Sequence, residues 1–270
     1  MKRRYYCRRG HPRAPYILLV IVIAAAGAYA AGRMSRGYVQ PAHTSPTAAP
    51  ESVQTETIVL DAYSFYAIQF GAFDNDADAR ALTESYVSRG AAGYVLTDTR
   101  SRAIGAAYEN RSDADKVCAN LTAQGIDTYV YTVSAPRVEL RVKAEPSLIS
   151  AIRAGHETSL NAISRLSQIA LELDKGTLSV DDARGAVRDV GDTAEDARNN
   201  LETALNGRTH AATSGILSEL SAARAACDAI NQQSFQNTMA FSAKIKYNVI
   251  DLMQRHVQFM KMLIQPAASA

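Results

Sequence analysis

Tyr63-Ser64-Phe65-Tyr66-Ala67-Ile68-Gln69-Phe70-Gly71-Ala72-Phe73, running into Asp74-Asn75-Asp76, is the stretch on which the reading of this chain turns. Side chains alternate across a strand with a period of two, so Tyr66, Ile68 and Phe70 share one face while Phe65, Ala67 and Gln69 share the other. Asp74 offers an N-cap, and Ala77, Ala81, Leu82, Ser85 and Tyr86 then recur at helical spacing until Arg89-Gly90 closes the helix.

The same grammar continues downstream. Residues 94–98 and 102–109 read as a second and third strand. Ser112-Asp113 caps a second helix carrying Ala114, Val117, Cys118 and Leu121, which Gln124-Gly125 ends, and residues 126–133 form a fourth strand. The order βαββαβ predicts an α+β, ferredoxin-like sheet with both helices on one side and the other side open. Small Ala103 and Gly105 suit close helix approach, which turns Arg102 and Ile104 to the open face. If Thr128 and Val130 point inward, Tyr129 and Tyr131 point outward. The candidate ligand-binding face is therefore Phe65, Gln69, Arg102, Ile104, Tyr129 and Tyr131. It combines an amide, a guanidinium and apolar or aromatic groups.

These residues resemble the SPOR domain family of bacterial envelope proteins. Its first half-repeat opens with aromatic-x-Val-Gln-Val-Gly-Ser-Phe, here Tyr66-Ala67-Ile68-Gln69-Phe70-Gly71-Ala72-Phe73. The second opens with Arg-Val-x-x-Gly-x-Phe, here Arg102-Ala103-Ile104-Gly105-Ala106-Ala107-Tyr108. Ala72 stands where the family has Ser, and Ala106 where it has Gly. The resemblance implies binding to peptidoglycan glycan strands at division or sporulation septa. It carries Gln69 and Arg102 over as binding residues; Phe65, Ile104, Tyr129 and Tyr131 come from strand alternation alone. The RNA-recognition fold shares the strand order, but Arg102-Ala103-Ile104-Gly105-Ala106 lacks the stacking rings that fold requires.

The flanks predict a tethered, exported protein. The net charge of the 270 residues is only +2, yet Lys2, Arg3, Arg4, Arg8, Arg9 and Arg13 sit in residues 1–15 without an acid. The remainder shows no basic bias toward nucleic acid. Residues 16–32 are uncharged and apolar, and as a helix span roughly 25 Å, enough for a short membrane crossing that Tyr16 would anchor at the interface. The basic N-terminal side places the N-terminus in the cytoplasm and the rest outside a cell membrane. A cleaved signal peptide, with Ala28-Tyr29-Ala30 at the cleavage site, is the competing reading. Residues 33–57, with Pro41, Pro46 and Pro50, read as a flexible linker that leads into a domain at 58–142.

Beyond Pro146 the pattern becomes helical. Ile149, Ile152, Ile163, Leu166, Ala170 and Leu173 fall at three- and four-residue steps, and so do Val187, Val190, Ala194, Ala197 and Leu201. Residues 147–264 predict an all-α, coiled-coil-like bundle of three or four helices, with a break near Asn231 and Ser234. Such bundles space, self-associate or dock protein partners. The apolar, Met-rich end with Met253, Met260 and Met262 is either bundle core or a docking surface.

No phosphate-binding glycine loop or catalytic constellation is present, and Cys118 lacks a recognisable histidine partner, which argues against an enzyme or a cofactor. His156 and His256 lie on seams without a metal-ligand spacing, so no metal is expected. Cys7, Cys118 and Cys227 are too scattered for a disulfide framework, although a Cys118–Cys227 bridge stays open for an exported chain.

Overall fold

The computed structural model describes residues 52–235 and 237–264. The expected basic tail 1–15, membrane span 16–32 and residues 33–51 of the linker lie outside them. Among the described residues, no helix is long and apolar enough to cross a membrane.

Four strands and two helices adopt the predicted order: β2 (Tyr63–Phe73), α1 (Asp76–Val87), β3 (Tyr94–Thr97), β4 (Ser101–Tyr108), α2 (Arg111–Ala123) and β5 (Tyr129–Ala135). The sheet order is β3-β4-β2-β5 with every neighbouring pair antiparallel, the split βαβ arrangement expected. The caps fall on neighbouring residues. Asn75 rather than Asp74 caps α1, accepting from the Asp78 backbone N–H at 2.9 Å, while Asp74 pairs with Arg100. Asn110 caps α2 by accepting from the Ser112 N–H at 2.8 Å. An asparagine oxygen serves as well there as serine or aspartate.

A two-stranded ribbon, unforeseen in the sequence, links this sheet to the helical half. β1 (Gln54–Leu60) pairs antiparallel with β6 (Val138–Ala144), so β1 begins inside the expected linker. Its reason is burial, since Ile58 and Leu60 enter the core on alternate positions and repay the ordering of the chain.

The helical half consists of α3 (Pro146–Asp174), α4 (Val180–Leu205), α5 (Ala211–Gln232) and α6 (Thr238–Ile264). Pro146 opens α3, where its missing N–H costs nothing, and Ser179 caps α4 through the Asp182 N–H. Asn206 ends α4 in the left-handed region, and α5 stops at Gln232, at the expected break. Met253 and Met260 are buried core residues, whereas Met262 and Ile264 are exposed.

One expectation fails. The sheet face opposite α1 and α2 is not open over most of its area, because α6 packs on β2, β4 and β5 there. Phe65, Ala67, Tyr94, Ile104 and Val133 join one continuous apolar core with Ile149, Ile152, Val249 and Met253 of the bundle. The Tyr94 hydroxyl donates to Asp251 at 3.3 Å, the Tyr63 ring meets His256 edge-on at 4.7 Å, and Lys246 donates to the Gly90 carbonyl at 3.0 Å.

Candidate functional site

The six predicted residues do share one face. Register places Gln69 opposite both Ile104 and Tyr129, Ala67 opposite Tyr131, and Arg102 beside Ile104 on β4. The face is confirmed from below. Phe70 turns the other way and stacks on Tyr86 of α1, with ring centroids 4.4 Å apart, and its ring covers Gly105. Directly opposite residues of an antiparallel pair lie on the same side, so the alternation argument was sound.

The bundle divides that face in two. Phe65 and Ile104 are fully buried, which removes them as ligand contacts and makes them the floor on which the bundle sits. This corrects the sequence reading, and the cause is the cover supplied by α6 rather than a register error. At the other end, where β2 finishes and β4 and β5 begin, Gln69, Arg102 and Tyr131 are half-buried and Tyr129 is 51% exposed.

These four form an organised corner around a residue that alternation could not reveal, Asp98 in the β3–β4 turn. The Arg102 Nε donates to Asp98 Oδ2 at 3.2 Å, and its Nη1 donates to Gln69 Oε1 at 2.9 Å. The Tyr131 hydroxyl donates to the same Asp98 oxygen, and the guanidinium lies 3.9 Å from the centre of the Tyr131 ring. The Arg100 backbone N–H donates to Asp98 Oδ1 at 3.0 Å. Partial burial works against the Asp98 charge, but the bonds from Tyr131, Arg100 and Arg102 prevail and hold its carboxyl well below the usual carboxylate range. Burial, then the bond to Asp98, raises the Tyr131 phenol, so it remains a neutral donor.

The geometry has chemical consequences. Asp98 pairs with the Arg102 guanidinium, which makes the corner a hydrogen-bonding surface more than an anion trap. Among the described residues none accepts from the Gln69 amide N–H groups, so these remain available to a ligand carbonyl or hydroxyl. Tyr129 supplies an exposed ring face beside them.

The family model described as the SPOR domain matches residues 62–132. Residues 62–132 thus match the SPOR domain family. The match runs from the start of β2 into β5, so the matched segment contains the whole corner while β1, β6 and α3–α6 lie outside it. No curated protein and no solved structure gives a significant match.

Elsewhere the fold assembles what spacing concealed. His156 of α3, Glu219 of α5 and His256 of α6 meet inside the bundle, although no short ligand motif links them. Among the described residues Cys118 and Cys227 are free; burial raises the Cys227 thiol to about 12, which leaves it an unreactive core group.

Proposed function

We propose that this protein binds peptidoglycan through the Gln69–Arg102–Tyr131–Tyr129 corner of its SPOR domain, with the bundle seated on the rest of the sheet. The observation that carries the reading is the family match at residues 62–132 enclosing a prearranged, partly exposed cluster of amide, guanidinium and aromatic rings. A SPOR domain implies peptidoglycan binding in division. Glycan strands present hydroxyls and N-acetyl carbonyls to donors such as Gln69 and Arg102, and apolar sugar faces to a ring such as Tyr129. A corner this small gives weak individual contacts, which repetition along a polymer multiplies.

In this reading residues 16–32 tether the chain to the cell membrane as a single span, with residues 33–51 as the reach toward the wall. The whole acts at a division or sporulation septum. Sedimentation of the full chain with purified sacculi tests the binding. The wild type pellets with the wall, and the Gln69→Ala/Arg102→Ala double variant, folded by circular dichroism, stays in the supernatant. Equal pelleting of the two would remove the corner from the account.

A second reading has its own support. Burial of Phe65 and Ile104 under α6 leaves little of the sheet free, as suits an envelope scaffold in which SPOR domain and bundle together engage other proteins or a second copy. It predicts that the wild type itself remains in the supernatant.

A further inference from the structure

We propose that His156, Glu219 and His256 form a binding site for one divalent transition-metal ion, zinc by its ligand set, that fastens three bundle helices beneath the SPOR sheet. Each residue comes from a different helix, and all three are buried, His256 being only 2% exposed. One ligand atom from each can be chosen so that all three lie within 4.8 Å of one another.

Hydrogen bonding leaves this cluster incomplete. His256 Nδ1 lies 2.8 Å from Glu219 Oε1, which accounts for one contact. Among the described residues, His156 Nδ1 and Glu219 Oε2 are buried with no hydrogen-bond partner. Native proteins rarely leave such atoms orphaned, because each forfeits its hydration without replacement. A carboxylate enclosed with two imidazoles is costlier still. A dication satisfies all of these atoms at once.

The ligand chemistry is consistent with this. An uncharged imidazole offers a ring-nitrogen lone pair to a metal. Two imidazoles and one carboxylate form a set that zinc accepts at about 2.0–2.2 Å, in tetrahedral geometry with a fourth position left over. At those lengths ligand atoms stand ~3.3 Å apart, so the side chains close by about 1.5 Å at most, within the reach of rotamer adjustment.

The position gives the ion a structural role. His256 carries the edge-on contact with Tyr63 of β2, so an ion held there ties α3, α5 and α6 together where the bundle meets the sheet. Metal binding at this place does not depend on glycan binding at the corner.

The full chain in detergent, stripped with a chelator, is titrated with Zn²⁺ calorimetrically and with Co²⁺ by visible absorption. One equivalent binds, the thermal midpoint rises with zinc, and cobalt gives the ligand-field bands of a four-coordinate nitrogen and oxygen site without a thiolate charge-transfer band. His156→Gln and Glu219→Gln, each with wild-type circular dichroism, weaken binding by more than about tenfold, whereas His210→Ala does not. Absence of stoichiometric binding by the wild type overturns the proposal. So does binding that all these variants retain, or a thiolate band pointing to the cysteines.

Discussion

Phe65→Ala separates a sheet face open to ligand from one occupied by the bundle. The ring is fully buried and belongs to the core shared by β2, α3 and α6. Removing it forfeits roughly 100 Å² of buried apolar surface, or about 2.5 kcal/mol at ~25 cal/mol per Å². A residual cavity of up to about 100 Å³ adds ~2 kcal/mol at about 24 cal/mol per Å³ if the two layers cannot collapse onto it. The expected loss is therefore ~3–5 kcal/mol, a large part of a domain stability of about 5–15 kcal/mol. The chain has no tryptophan, so urea unfolding is tracked by far-ultraviolet circular dichroism and by tyrosine fluorescence. Both probes should report one earlier transition, since the mutated core joins the two layers. Tyr129→Ala, at an exposed position, should change stability by less than about 0.5 kcal/mol. A loss below about 1 kcal/mol for Phe65→Ala, with the helical signal melting where it does in the wild type, would refute the claim that the bundle rests on this face.

Individual contacts set three further outcomes. Gly185→Ala in α4 meets nothing within 4 Å and should stabilise by up to ~1 kcal/mol through helix propensity, whereas Gly215→Ala in α5 places a methyl 2.3 Å from the Phe259 ring and should lose about 1–3 kcal/mol despite the same gain; paired thermal melts check the opposite signs. Gly105→Ala pushes a methyl to 2.3 Å from Phe70, whose ring is held against Tyr86, so it should destabilise by ~1–3 kcal/mol in urea unfolding. Because the Asp98 carboxyl is held below its unfolded value, its contribution is present above about pH 4 and fades as pH falls through the depressed value. The stability gap between wild type and Asp98→Asn should therefore narrow below about pH 4, and a gap independent of pH would contradict the Asp98 bonding described.

Much of the central sheet was legible because its cues are local. Alternation in β2 and the small residues Ala103 and Gly105 fixed which side chains share a face, and Phe70 over Gly105 shows the reason. What covers that face was not legible. The apolar positions of α6 repeat with the period of any bundle helix, and nothing in a 3.6-residue pattern says that Tyr247 and His256 meet a sheet as well as other helices. Phe65 and Ile104 thus stood on the right face with the wrong neighbour. Asp98 escaped notice because a turn residue has no periodicity, and its role depends on Arg102 and Tyr131 arriving from two other strands. The His156, Glu219 and His256 cluster was hidden for the same reason: its members are brought together by helix packing, not by spacing. β1 was missed because the linker composition runs up to its first residues.

Hydrogen–deuterium exchange on the full chain, with and without soluble glycan strands, reports on the corner and on the sheet–bundle interface at once. Glycan should add protection in the β2–β4–β5 corner around Gln69, Arg102 and Tyr129 and in the turn at Asp98, with α6 exchanging as before. Loss of protection along α6, with new protection at Phe65 and Ile104, would show the bundle leaving the sheet and would contradict it, as would an unchanged corner.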